Sequence, residues 1–103
     1  MNKNKNLTIE EILNLAVKNH LEGKTDVAQV FYNQVLMIDP NHSQALNNIA
    51  IIFTKLKEYE KAKKCYEKTI EIKPNYADVH NNLGIMQDEL KNYKEAHRAI
   101  KEY

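Results

Sequence analysis

Four histidines, one cysteine and a column of asparagines are the residues with chemistry to offer in this chain. The histidines are His20, His42, His80 and His97. They form no i,i+4 pair and no His-Glu-x-x-His pattern, the spacing that puts two imidazoles on one helical face for a metal. Cys65 stands beside Tyr66 within a helical stretch and reads as a packing thiol rather than a nucleophile. Gly23 and Gly84 are isolated, so no Gly-rich loop is present to cradle a phosphate. These signals point to a non-catalytic protein with no cofactor and no metal. The asparagines differ, because Asn14, Asn48 and Asn82 recur at one constant interval. Each amide offers one acceptor and two donors. A row of them could pair with the backbone of an extended peptide without demanding a sequence, or could bond across neighbouring helices and order the stack. Asparagine is a poor helix former, so its recurrence at mid-helix needs one of these reasons.

The elements that must carry this column follow from two prolines. Pro40 and Pro74 sit in Leu-Met-Ile-Asp-Pro-Asn and Ile-Glu-Ile-Lys-Pro-Asn, separated by the same interval as the asparagines. Aligned on them, the chain divides into units 9–42, 43–76 and an incomplete 77–103, after a polar tail over 1–8. Other columns fall into place: Leu15, Ile49, Leu83; Ala16, Ala50, Gly84; Val17, Ile51, Ile85; Ala28, Ala62, Ala96; Tyr32, Tyr66, Ile100. Apolar residues at three- and four-residue steps (Ile12, Leu15, Ala16; then Val27, Val30, Phe31, Val35, Ile38) give each unit two helices. The break between them falls at Glu22-Gly23-Lys24, at Lys57-Glu58 and at Lys91-Asn92. Thr8 with Glu11 and Asn92 with Glu95 have capping-box spacing. Pro40 and Pro74 stop each second helix, and Asn41 and Asn75 are placed to cap the next. The small residues of the two alanine columns predict close approach of the helices within every unit.

Composition narrows the partners. Fifteen basic and 14 acidic side chains leave almost no net charge, so nucleic acid or acidic lipid held by electrostatics is not expected. No apolar run reaches membrane-spanning length. A lone cysteine permits no intrachain disulfide, and Met1–Asn6 contains no apolar signal core. The expected setting is intracellular and cytoplasmic.

The stretch Ala77-Asp-Val-His-Asn-Asn-Leu-Gly with Tyr93, Ala96 and Ile100, and the stretch Ala45–Pro74 with Ala50, Tyr59, Ala62, Tyr66 and Pro74, resemble the tetratricopeptide repeat (TPR), a 34-residue helix–turn–helix unit. The resemblance covers nearly everything after Thr8. The family's usual tryptophan is replaced by Ile12, Leu46 and His80, and its later aromatic appears as Phe53 but not at Asn19 or Gln87. The resemblance implies an all-α solenoid of three units, six helices with the last truncated, wound as a right-handed superhelix. It also implies a concave groove lined by the first helices. Its floor would carry Glu10, Leu13, Asn14 and Val17, then Gln44, Asn47, Asn48 and Ile51, then Asp78, Asn81, Asn82 and Ile85. The asparagine column is similar to the ladder in the TPR superhelix of O-GlcNAc transferases.

The implied function is a protein–protein interaction module that binds a peptide segment in this groove. TPR proteins that grip a C-terminal carboxylate need cations there, and of their pattern only Asn48 is present. RNA-binding pentatricopeptide arrays have a longer unit and basic grooves, whereas Glu10, Gln44 and Asp78 lie along this one. The third unit ends without a covering helix, so its outer face around Ala99 and Tyr103 invites self-association, helix exchange, or a place within a longer protein such as a glycosyltransferase.

Overall fold

Thr8 opens the first helix with two reciprocal bonds. Its hydroxyl accepts from the Glu11 N–H, and the Glu11 carboxylate accepts from the Thr8 N–H, both at 3.1 Å. The computed structural model describes residues 6–101. Residues 1–5 of the expected tail, and Tyr103, lie outside the described residues. Five helices follow: α1 (Ile9–Leu21), α2 (Thr25–Ile38), α3 (Ser43–Lys55), α4 (Tyr59–Ile72) and α5 (Ala77–Lys101). α1 packs on α2 and α3 on α4 as hairpins; α2 then meets α3, and α5 lies against α4 with a lighter contact to α3. The radius of gyration is 16.0 Å with extents of 66 × 30 × 19 Å. A compact globule of this length would have a radius of gyration of about 13 Å, so the chain is elongated.

The two hairpin turns share one device. Gly23 and Lys57 occupy the same place in their units and both have left-handed backbone, φ 79° and 61°. The residue after each then closes the helix end: Lys24 N–H donates to Asn19 O at 2.9 Å, and Glu58 N–H to Phe53 O at 2.8 Å. This is the wrapped C-terminus that glycine makes easily and lysine makes at some cost. Asp39 and Lys73, each preceding a proline, leave the helical region as that position requires (φ −134° and −132°), and they terminate α2 and α4. α3 is capped by His42, whose Nδ1 accepts from Ala45 N–H at 3.2 Å, rather than by Asn41.

The core runs from α1 through to α5. Ala16, Ala28, Ala50 and Ala62 are fully buried, so the small residues do bring the helices of the first two hairpins together. Tyr32 and Tyr66 fill the space beside them. Val79 and Met86 of α5 are buried too, on the face that meets α4.

The third unit departs from expectation. Five helices are present among the described residues rather than six, because Lys91-Asn92 does not turn and α5 runs straight through it for 25 residues. Asn92 and Glu95 are therefore interior helix positions and not a cap. The cause lies on the first half of α5. In α3 the side chains that receive α4 include Leu46, Ala50 and Phe53, all buried. The matching positions of α5 are His80, Gly84 and Gln87, which offer a returning helix almost nothing apolar. A Cβ at Gly84 would meet nothing within 4 Å, so no close helix approach occurs there. Lys91 would also have to take the left-handed conformation of Gly23 and Lys57. Without packing to offset that cost, the helix continues. Lys91 to Lys101 is exposed throughout, apart from a lean of Tyr93 onto Tyr59 (ring centroids 5.8 Å) and stacking of Tyr93 on His97.

Candidate functional site

The first helices bring three of the expected groove residues into one depression. Ile51, Asn82 and Ile85 line it together with Thr54, Lys55, Tyr66 and Glu89, around a volume of about 220 Å³. Lys55 and Glu89 extend the Ile51 and Ile85 positions by one helical turn. The i,i+4 rule alone could have found them.

The asparagines are not equivalent. Asn47 is buried, and its Oδ1 accepts from Asn82 Nδ2 at 3.1 Å, joining α3 to α5. Asn48 is half-buried beside the Tyr32 hydroxyl. Asn14 is exposed and lines a separate shallow depression with Leu7, Glu11, Leu15 and Lys18. Glu10, Gln44, Asp78 and Asn81 are exposed, Val17 and Ile51 are half-buried, and Leu13, expected in the groove, is buried in the core instead. Ile85 is 49% exposed, an open apolar side chain at the rim.

Polar support behind this face follows the repeat. In the first hairpin His20 Nδ1 lies 3.2 Å from the buried Tyr32 hydroxyl. In the second, Thr54 stands at the matching position beside Tyr66, while its own hydroxyl donates to Ala50 O at 2.9 Å. Burial, and then the Lys55 charge, hold His20 below its ordinary pKa. Burial raises both tyrosines. It also raises the Cys65 thiol, with Lys68 partly opposing, so the neutral form is favoured and the nucleophilic thiolate is not. Among the described residues no group of three or more His, Cys, Asp and Glu side chains comes together. No helix among them is long and apolar enough to cross a membrane.

Two stacked helical hairpins followed by a fifth helix define a helical-repeat protein. Two family models, both described as tetratricopeptide repeat, match residues 43–76 and 65–98. The chain thus carries tetratricopeptide repeats. It is also similar to the uncharacterized protein ycf37 of Pyropia yezoensis, 39% identical over 59 residues, which is 56% of this chain and 33% of that protein. The chain therefore spans about a third of the length of that relative.

Proposed function

We propose that this chain is a non-catalytic binding module that holds an extended segment of a partner protein along the face made by α1, α3 and the first half of α5. The observation that carries this reading is the depression between α3 and α5, where an exposed Ile85 and a half-buried Ile51 flank the Asn82 amide. Asn47 takes one amide hydrogen of Asn82 and fixes its orientation. The other hydrogen and the oxygen are what a peptide backbone would meet. Lys55 and Glu89 at the rim would favour a segment with both charges, and Gln44, Asp78 and Asn81 would tune selectivity further along. Asn14 and Asn48 extend the same row toward α1. In this reading the first helices wind as the right-handed superhelix of the family.

Selection of extended peptides by display against the intact chain, followed by NMR mapping, tests the proposal. Selected peptides should shift the amides of Ile51, Lys55, Asn82, Ile85 and Glu89. The Asn48→Ala, Asn82→Ala double variant should bind them at least tenfold more weakly while keeping its helicity. Ile85→Lys, at an exposed position, should do the same without touching the Asn47 bond. Unchanged affinity in both variants, or shifts confined to another face, would overturn the proposal.

A further inference from the structure

α2 has two apolar faces, and the fold uses one. Ala28, Tyr32 and Val35 are fully buried against the rest of the molecule. Away from that face Val27, Val30, Met37 and Ile38, with Gln34 among them, are exposed, the four apolar side chains by 39%, 55%, 83% and 57%. Packing does not require apolar side chains at the first three of these places. One repeat later, at the matching positions of α4, stand Lys61, Lys64, Glu71 and Ile72. α2 also contains no basic residue. Its one charge is Asp26, and Asp39 follows at its end.

The end of α5 has the complementary character. Beyond Leu90, which packs on the core, Tyr93 and Ile100 share one stripe and are 47% and 72% exposed. Lys91, Lys94, Arg98 and Lys101 run beside it, with Glu95 as the single acid between Lys91 and Lys101. At 1.5 Å per residue the Val27–Ile38 stripe is about 16 Å long and the Tyr93–Ile100 stripe about 10 Å. The shorter stripe fits within the longer one, and the two are opposite in charge.

We propose that the end of α5 from one copy of the chain docks on the Val27–Ile38 face of α2 in a second copy, head to tail. Apolar stripe meets apolar stripe, and the lysines of α5 face Asp26 and Asp39. A contact one helix stripe long sits below the size of stable interfaces, under about 1,200 Å² in total, so the association is weak and reversible. It goes beyond the peptide-groove reading and uses different surfaces. Because the two surfaces differ, each copy keeps one of each free, and the assembly grows rather than closing as a dimer.

Sedimentation equilibrium of the full chain, from micromolar to millimolar concentration, tests this. The average mass should rise continuously with concentration and rise less at high salt. A first variant takes α4's residues at the matching places, Val27→Lys, Val30→Lys and Met37→Glu. A second carries Arg98→Glu and Ile100→Glu. Each alone should associate at least tenfold more weakly with an unchanged helical spectrum. Mixed together they should form a one-to-one pair and stop there, since each supplies the half the other lacks. A wild-type chain that stays monomeric overturns the proposal. So does an α2 variant that associates like the wild type, or a mixture that does not pair.

Discussion

Tyr59-x-x-Ala62-x-x-x-Tyr66 and Tyr93-x-x-Ala96-x-x-x-Ile100 are nearly the same sequence, one repeat apart, yet one folds back and the other runs on. In the first, Ala62 and Tyr66 are buried, and so are Leu46, Ala50 and Phe53 on the helix that receives them. In the second, Ala96 and Ile100 stand in solvent, far along the helix from His80, Gly84 and Gln87. A hairpin repeat is therefore decided by the helix that receives as much as by the helix that returns. Returning-helix sequence with no apolar seat extends the helix before it.

The largest test of that comparison rebuilds the seat. His80→Leu, Gln87→Phe and Lys91→Gly together transplant the features of the first two units into the third. In a straight helix, Gly84 and Ile100 have Cα atoms about 24 Å apart; in a hairpin they would sit across an interhelical gap of about 8–10 Å. Spin labels at those two positions, in a Cys65→Ser background, should report the collapse. A distance that stays long would mean that the seat is not what decides. Next in size, Tyr66→Ala should cost about 3–5 kcal/mol by leaving a cavity, whereas Ile100→Ala should stay within about 0.5 kcal/mol. Urea unfolding of the two variants gives both numbers, and similar losses would erase the distinction. Ala62→Leu should overpack the second hairpin at about 1–3 kcal/mol, and Ala96→Leu should leave the midpoint nearly unmoved.

The smallest test separates the first hairpin from the second through pH. His20 supports Tyr32 where Thr54 supports Tyr66, and only His20 titrates near neutrality. Its pKa in the folded chain lies below the ordinary 6.5, so the unfolded chain binds the proton more readily. Its contribution is therefore full above about pH 6.5 and falls as pH drops from there toward the folded value. Thermal melts across that window should show a modest decline that His20→Gln flattens. An unflattened decline would assign the effect elsewhere.

Much of this architecture was legible in the residues because its signals are local. Thr8 with Glu11, Gly23 at the first turn, and the prolines after Asp39 and Lys73 each act within a few positions, and each does in the structure what its chemistry predicts. The third unit was not legible that way. Asn92 and Glu95 have the right spacing for a cap, but a cap operates only where the chain turns, and the turn depends on side chains five to twelve positions earlier. Periodicity likewise grouped Val27, Val30 and Ile38 with Val35. A helix that is apolar around most of its circumference does not say in sequence which side faces in. At the groove, the repeat columns placed Asn47 and Asn82 on one surface. They could not show that one amide holds the other, because that bond joins different columns 35 residues apart.

The unbroken α5 has a consequence for how the molecule opens. Amides between Ala77 and Leu90 are anchored by the buried Val79 and Met86, and their exchange with solvent should require loss of the core. Those between Lys91 and Lys101 depend on helix propensity and the Tyr93–Tyr59 contact, over fewer residues than an isolated helix needs to be stable in water. A single uninterrupted helix thus keeps two clocks, slow in its first half and fast in its second, and the boundary between them falls where a turn was due.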